Sequence, residues 1–274
     1  MQIDETFENY KKIEKNCTIY EKDTKAFKNI FLKNKRKEVE ILNIFSYFLS
    51  KIIRTPEFLI INHYIPNYIL FESHFSVIRK EILDFIEINN IKSFKETKNT
   101  YNNSGIGLNS NTNDNAWRLF CIKEFNNYSK DICNFPVLKK ILDKNYEIAN
   151  CFISILEPRT HIPIHKGYFK GILRLMFPIK IPKDKKNCFL WLNGIKYNWI
   201  EGKCVLWDDI YPHKVYNNTD ETRIVLYMDI YRLPKNKIFR KVVFRAIDKF
   251  LNIQMIKNYK TKYIKSTEII KKLD

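Results

Sequence analysis

The chain has 274 residues, a formal net charge of +18 at pH 7, and contents of 45% hydrophobic and 15% aromatic residues. This composition excludes a disordered chain and suffices for one sizeable core with appended elements. Lys, Asn and Ile are abundant while only six residues are glycine. That compositional bias raises the basic count, so the charge does not by itself indicate a nucleic-acid partner, and we expect none.

The N-terminal sequence MQIDETFENYKKIEKN lacks the apolar segment of a secretory signal. The most apolar early stretch, ILNIFSYFLSKIIRTPEFLI, is interrupted by Lys51, Arg54 and Glu57. It therefore falls short of the roughly 20 apolar residues that a membrane span requires. The six cysteines form no C-x-x-C pair, which favours reduced thiols. These features predict a cytoplasmic protein.

Two helical regions open the chain. Residues 1–58 are rich in Lys and Glu with helical apolar spacing, and we interpret them as a helical N-terminal extension. The segment FESHFSVIRKEILDFIEINN then repeats apolar residues with the period of an amphipathic helix. The following KETKNTYNNSGIGLNSNTNDNA is rich in turn-forming residues and predicts a surface loop.

From residue 147 to residue 233 the pattern changes to short strands. The runs CFISIL, GILRLMFPIKI, CFLWL, YNWI, CVLWD and RIVLYMDIYRL are separated by turn signals, among them the tight-turn candidate LNGIK. Several short strands at this spacing predict a β-sandwich or small barrel. We assign residues 59–234 to this main domain.

Residues 235–274 return to a helical pattern with twelve Lys and Arg against three acidic residues, a net charge of +9. An apolar stripe runs along one face of the predicted helix. Such a helix can pack its stripe onto the β core, or it can lie on an anionic membrane surface. Both alternatives stay open, and the second would make the protein peripheral to a membrane.

The segment EPRTHIPIHKG holds two histidines four residues apart, His161 and His165. Pro158 and Pro163 flank the first histidine and disfavour a helix, so the segment is predicted to be extended. Four residues of a strand span about 13 Å. The two imidazoles therefore cannot share one metal ion, and any second ligand must come from elsewhere in the chain.

His213 and two arginines suggest where that partner lies. Arg174 follows His165 by nine residues, and Arg223 follows His213 by ten, each arginine within an apolar β segment. A buried guanidinium requires an anion, and arginine binds a carboxylate through two parallel hydrogen bonds. The pattern suggests a metal next to a dicarboxylate.

Three segments, FISILEPRTHIPIHKG, RLMFPIKIP and WIEGKCVLWDDIYPHKVYNNTDETRIVLYMDIYR, resemble the aspartyl/asparaginyl β-hydroxylase family. The upstream segments FSVIRKEIL, AWRLFCI and CNFPVLKKIL are also similar to it, so the resemblance covers about residues 70–232. It implies a double-stranded β-helix, also called a jelly roll or cupin-like fold, mainly β with flanking helices. It also implies an enzyme that uses Fe(II), 2-oxoglutarate and O₂ to hydroxylate an unactivated C–H bond.

The resemblance assigns the histidines. His165 matches the first iron ligand and His213 the second, whereas His161 matches a position that is not a ligand. Most members of the wider dioxygenase superfamily add a carboxylate two residues after the first histidine. Here that residue is Gly167, as it is in the β-hydroxylases themselves, and water is expected to fill the coordination position.

The same resemblance assigns the cosubstrate site. Arg223 matches the arginine that binds the distal carboxylate of 2-oxoglutarate, with Ser154 as the supporting hydroxyl. Arg174 matches an arginine near the C1 end of the cosubstrate. Met176 departs from the family, which usually has a histidine there that helps to bind the C1 carboxylate.

Three hypotheses for the substrate and activity remain. The first is hydroxylation of the β carbon of a peptidyl Asp or Asn. The second is hydroxylation of a lipid acyl chain, because bacterial lipid A 2-hydroxylases resemble the same domain. The third is a non-catalytic binding module that retains the fold.

The remaining polar and aromatic residues are interpreted as structural. His63 and His74 lack any partner pattern. Asp208 and Asp209 follow a strand and are predicted to cap a turn, with Asp209 also placed to orient a metal ligand. Core positions are predicted for Trp191, Trp199 and Trp207.

Overall fold

A computed structural model describes residues 17–19, 53, 55–89, 117–124, 127–167 and 169–232. The predicted surface loop and the predicted basic helix lie outside the described residues, as does most of the predicted N-terminal extension. Within residues 1–58, the structure describes Cys17–Ile19 as a strand and residues 55–58 without helix.

In the described part of the chain, three α-helices cover one side of the sheets. They are α1 (Ile69–Ser73), α2 (Phe75–Ile88) and α3 (Pro136–Lys144), with short 3-10 helices at Ile61–His63 and Lys130–Asn134. The predicted amphipathic helix is confirmed as α1 and α2, and α2 buries Ile78, Ile82 and Phe85. No helix among the described residues has both the length and the apolar character that crossing a membrane demands.

Eleven strands are found in the described part of the chain. In chain order they are β1 (Cys17–Ile19), β2 (Trp117–Glu124), β3 (Asn127–Tyr128), β4 (Ile148–Leu156), β5 (Thr160–His165), β6 (Ile172–Lys180), β7 (Cys188–Leu192), β8 (Ile195–Asn198), β9 (Val205–Trp207), β10 (His213–Asn217) and β11 (Arg223–Tyr231). The predicted tight turn joins β7 to β8, where Asn193 and Gly194 both have positive φ, as a two-residue hairpin loop requires.

The strands form two antiparallel sheets, ordered β3-β2-β4-β11-β6-β9 and β1-β8-β7-β10-β5. Four strands of the larger sheet, β4-β11-β6-β9, face four strands of the smaller sheet, β8-β7-β10-β5. This arrangement is the double-stranded β-helix, and it confirms the predicted jelly-roll fold.

Alternation along the strands divides the buried side chains between two cores. The outward face of the larger sheet, with Leu175, Phe177 and Leu226, packs against the helices. The inward face packs against the smaller sheet around Trp199 and Trp207. Trp191, Trp199 and Trp207 are all buried, as predicted. The polar residues of the candidate site lie on the inward face, between the two sheets.

Candidate active site

His165 and His213 lie side by side across the β5–β10 pair, where they are register partners. Their ring centroids are 4.1 Å apart. His213 is buried, while His165 is partly accessible to solvent. The structure thus brings together the two histidines that the resemblance assigns as iron ligands.

One extra residue in β5 aims His165 inward. On β10, Val215 pairs with Ile162 and His213 pairs with His165. Between these pairs, two residues of β5 therefore face a single residue of β10. Such a bulge re-aims the side chains beyond it. His165 consequently shares the inward face with Ile162, whereas His161 is exposed and stacks on Tyr216. His161 and His165 therefore lie on different faces of the smaller sheet.

The tautomers of both histidines suit a metal ligand. Nδ1 of His165 lies 2.8 Å from the carbonyl oxygen of Pro163, and Nδ1 of His213 lies 2.8 Å from that of Tyr211. A carbonyl only accepts, so each Nδ1 carries the proton and each Nε2 keeps its lone pair. Burial lowers the pKa of His165 to about 3 and also lowers the pKa of His213, so both rings are neutral near pH 7.

Asp209 adds a carboxylate beside this pair. Its Oδ1 lies 3.4 Å from Nε2 of His213, an atom without a proton, so two lone pairs face each other. A cation would relieve this repulsion, and a pair of imidazole nitrogens suits a transition metal. Burial would raise the pKa of Asp209, but the charge and hydrogen bonds of Arg174, together with the two histidines, outweigh burial and lower that pKa.

Gly167 is required by the approach of Asp209. A Cβ at position 167 would lie 2.9 Å from Cγ and 2.9 Å from the carbonyl oxygen of Asp209. The backbone nitrogen of Gly167 also donates to that carbonyl at 2.6 Å. The position that carries a carboxylate in most of the wider superfamily is therefore packed against the carboxylate of Asp209.

Arg174 is held by two carboxylates. Its Nη2 donates to Asp209 Oδ2 at 2.9 Å, its Nε to Oδ1 at 3.3 Å, and its Nη1 forms an ion pair with Asp229 at 2.7 Å. The ring of Tyr227 covers the guanidinium at 3.7 Å. Asn150 completes the group by donating to Asp229 at 2.8 Å. Sequence reasoning missed Asp229, although its inward alternation with Arg223 along β11 was a usable signal.

Arg223 has the opposite environment. Its side chain is 0% exposed, and none of its three guanidinium nitrogens has a hydrogen-bond partner in the described part of the chain. Its nearest aromatic contact is Trp199, whose ring centroid is 4.8 Å away. Burial lowers its pKa to about 10, so it stays charged at pH 7. An unpaired buried cation between the sheets calls for an anionic ligand.

Ser154 lies on the neighbouring strand β4, two residues before Leu156, the register partner of Arg223. Its Oγ accepts a hydrogen bond from the indole of Trp117 at 3.0 Å. Because an indole only donates, the serine hydroxyl hydrogen is left to donate to a ligand. Arg223 and Ser154 together can bind a carboxylate.

Met176 occupies an apolar part of the inward face. It is buried and pairs with Tyr227 across β6–β11, and Tyr227 packs edge-on against Phe152 at 5.5 Å. These three side chains separate the Arg174 group from Arg223. The thioether of Met176 has no hydrogen to donate to a ligand bound beside the histidine pair.

The other sequence-predicted residues lie apart from this site. His63 and His74 are exposed in the helical region, and His74 bonds locally to Leu70 and Ser73. Within the described ranges, no group of three or more His, Cys, Asp and Glu side chains is arranged to hold a metal ion. A metal here would depend on the two histidines and on ligands from cosubstrate or water.

The fold and site define a jelly-roll protein with a pair of adjacent histidines and a buried arginine that has no hydrogen-bond partner among the described residues. Comparison with family models identifies residues 72–233 as aspartyl/asparaginyl beta-hydroxylase, more than half of the chain. The chain belongs to this hydroxylase family.

Three relatives illustrate the range of similar proteins. An ornithine lipid ester-linked acyl 2-hydroxylase of Rhizobium tropici is 32% identical over 117 residues, 42% of each chain. The aspartyl/asparaginyl beta-hydroxylase of Homo sapiens is 26% identical over 121 residues, 42% of this chain and 16% of that one. A prolyl hydroxylase from Trichoplax adhaerens, solved with a hypoxia inducible factor peptide, aligns with a TM-score of 0.44 and 14% identity over 73% of this chain and 94% of its own. The chain thus spans less than half of the curated relatives it matches.

Proposed function

We propose that this protein is an Fe(II)- and 2-oxoglutarate-dependent dioxygenase that hydroxylates an unactivated C–H bond. The observation that carries the proposal is the unpaired guanidinium of Arg223, buried on the inward face that also carries the metal-facing groups. A dicarboxylate cosubstrate would supply the missing anion. Family membership supports the same reaction class.

His165 and His213 would hold the metal through their Nε2 atoms, since each Nδ1 is engaged by a backbone carbonyl. The bound metal supplies the activation of O₂ that oxidation of an alkyl C–H bond requires. Arg223 and Ser154 would bind the distal carboxylate of 2-oxoglutarate and so fix its direction. The apolar side chains of Met176 and Phe152 exclude water from the space between.

The family name suggests the β carbon of a peptidyl Asp or Asn as the first substrate hypothesis. Such a substrate would bring its own polar or anionic side chain next to the metal. Arg174 is the cation in that part of the site, and its nitrogens already contact Asp209 and Asp229. A third carboxylate would meet two fixed negative charges before it met the arginine.

A lipid acyl chain is the second hypothesis, and the charge arrangement around Arg174 favours it. An acyl chain needs no cation and can pack against Tyr227, Phe152 and Met176. The acyl 2-hydroxylase of Rhizobium tropici supports this substrate class. On this hypothesis the enzyme works at a membrane surface, and residues 235–274 are the segment we propose for binding anionic lipid.

Succinate formation tests the reaction and separates the substrates. Purified protein with Fe(II), 2-oxoglutarate and O₂ is assayed with Asp- and Asn-containing peptides, and with an acylated amino lipid in detergent micelles. We expect succinate release stimulated by the lipid and a product heavier by one oxygen atom. Stimulation by peptide alone would return the assignment to the first hypothesis, and no succinate under any condition would favour a non-catalytic module.

Replacement of Arg223 provides the matched binding test. Arg223→Met should abolish 2-oxoglutarate binding to the Zn(II)-loaded protein without O₂, and Arg223→Lys should restore it only partly because an ammonium lacks the planar fork. Without 2-oxoglutarate, Arg223→Met should be at least as stable as the native protein, since the substitution removes an unpaired buried charge. Calorimetric titration and thermal unfolding measure both effects. Normal 2-oxoglutarate affinity in Arg223→Met would contradict this cosubstrate site.

A further inference from the structure

Residues 55–59 lie upstream of the matched family region and extend the larger sheet. The backbone nitrogen of Leu59 donates to Leu206 at 2.9 Å, Phe58 forms an isolated β-bridge with Trp207, and the nitrogen of Asp208 donates to Glu57 at 2.9 Å. This short strand, here called the N-terminal strap, therefore runs along β9. Its far end lies against the turn that leads to His213.

A buried charged cluster joins the strap to that turn. Asp208 is 0% exposed, and its Oδ2 contacts Lys170 Nζ at 2.5 Å while its Oδ1 contacts Arg232 Nη2 at 2.6 Å. Two cations therefore share one carboxylate, and all three groups are buried. Asp208 points away from Asp209, so neighbouring aspartates serve opposite sides of the turn.

The hydroxyl of Thr55 completes the cluster. It donates to Asp208 Oδ2 at 2.5 Å and accepts from Lys170 Nζ at 3.2 Å and from Arg232 Nη1 at 3.0 Å. A hydroxyl has one donor and two acceptor lone pairs, and all three are used here. Only serine could replace threonine without breaking one of these bonds.

The strap also reaches the metal-facing histidine through Tyr211. The hydroxyl of Tyr211 donates to the carbonyl oxygen of Thr55 at 2.6 Å. The carbonyl of Tyr211 in turn accepts the Nδ1 proton of His213 at 2.8 Å. The carbonyl that sets the tautomer of His213 therefore belongs to a residue whose side chain is hydrogen-bonded to the strap.

From these contacts we infer that Thr55–Leu59 is a positioning element of the metal centre, acting through Asp208 and Tyr211 on Asp209 and His213. The inference rests on the proposed function for the identity of that centre. The strap lies outside the matched residues 72–233, so in this chain those residues alone lack this support for the metal centre.

Metal affinity of variants tests this role with Co(II), whose visible spectrum reports its coordination. Thr55→Val keeps the shape and removes the hydroxyl, and Tyr211→Phe removes the bond to the strap. We expect each to weaken Co(II) binding about tenfold and to alter the spectrum, whereas Thr55→Ser should bind like the native protein.

Glu72→Gln is the control for a loss of stability elsewhere. Glu72 bonds Lys203 and the backbone of Cys204 at the helical side of the larger sheet. It should lower the midpoint of thermal unfolding without changing Co(II) affinity. Native Co(II) affinity in both Thr55→Val and Tyr211→Phe would overturn the inference, as would an equal loss in Glu72→Gln.

Hydrogen exchange of the metal-free protein keeps this test separate from the proposed function. Thr55→Val should speed exchange of the backbone amides of residues 208–211 and 213, and Glu72→Gln should not. If the native protein bound no Co(II), the proposed function would fail, but the exchange result would still decide whether the strap orders the turn. Unchanged exchange in Thr55→Val would show that the strap does not order the turn.

Discussion

At the scale of single residues, the bulge in β5 decides which histidine serves the site. Pro163 lies within the bulged stretch and has no backbone N–H to donate to a ladder. Beyond it, His165 points between the sheets and His161 points outward. The two imidazoles therefore differ in accessibility and in neighbours although they are only four residues apart.

This difference gives a direct prediction. His165→Ala and His213→Ala should each abolish binding of Fe(II) or Co(II), because a single imidazole cannot hold the ion against water. His161→Ala should bind as the native protein does, since its exposed ring contacts Tyr216. Metal content after dialysis is the measurement. Equal loss in all three variants would contradict the assignment.

Met176 gives a second prediction at this scale. Its thioether donates no hydrogen bond, and the family usually has a histidine there. Met176→His should add one bond to the C1 carboxylate of 2-oxoglutarate. Bonds to charged groups contribute about 1.5–3 kcal/mol, so the affinity should rise by roughly tenfold or more.

The experiment titrates 2-oxoglutarate into native protein and Met176→His, each loaded with Zn(II) and kept free of O₂. The gain requires Arg223 to be in place, so Arg223→Met in both backgrounds is the control. Tight native binding without a gain would show that another donor already serves the C1 carboxylate. Absence of binding in both proteins would favour the non-catalytic module.

At the scale of elements, the segment NNTDETR forms the loop between β10 and β11, and Asn217 holds that loop in place. The side-chain nitrogen of the buried Asn217 donates to the carbonyls of Leu156, Glu157 and Glu221 at 2.9–3.2 Å. Its oxygen accepts from the hydroxyl of Thr219 at 2.6 Å. One amide thereby ties the end of β4 to the loop that leads into Arg223.

Asn217→Ala should lower the free energy of unfolding by about 2–4 kcal/mol, since it leaves several buried carbonyls unpaired. It should also weaken 2-oxoglutarate binding, because the loop sets where β11 and Arg223 begin. Asn218→Ala is the control, as that side chain is exposed. Urea unfolding and calorimetry measure the two effects, and similar losses in both variants would refute the role of Asn217.

At the scale of the whole molecule, the jelly roll buries two groups of paired charges and one further arginine. Asp209, Asp229 and Arg174 form one group, and Asp208, Lys170 and Arg232 form another on the far side of the same turn. Arg223 stays apart and unpaired in the described residues. The fold therefore supplies internal counterions for every one of these arginines except the one proposed to bind cosubstrate.

Burial of the neutral histidines predicts a pH dependence of folding. The pKa of His165 is about 3 in the folded protein, against 6.5 ordinarily, so between these values the unfolded chain binds more protons. Stability from this residue is therefore complete above pH 6.5 and is lost as the pH falls below it. Metal-free His165→Gln should lose less stability between pH 7 and pH 5 than the native protein does.

His161→Gln is the control, because it makes the same substitution at an exposed histidine outside the buried pair. Glu124 acts in the opposite direction. Burial and Asp229 raise its pKa to about 7 from 4.5, so its contribution grows as the pH falls through this range. It is common to all three proteins and cancels in the comparison. A shallower pH dependence in His161→Gln as well would exclude His165 as the source.

The sequence by itself determined the class of fold and most of the candidate site. Short β-branched runs and turn residues such as Asn193-Gly194 act locally, so they predicted the strands and the hairpin. The spacing of His165, Arg174, His213 and Arg223 predicted a metal beside an anion. These features are readable because strand alternation and turn geometry depend on near neighbours.

Only the tertiary structure decided which charges meet. Arg174 and Arg223 look alike in the sequence, each within an apolar strand, yet one is held by Asp209 and Asp229 while the other has no partner among the described residues. Thr55 lies 153 residues before Asp208 and still completes its cluster. Strand register and sheet order bring such residues together, and both depend on packing over the whole chain, which no local pattern of residues encodes.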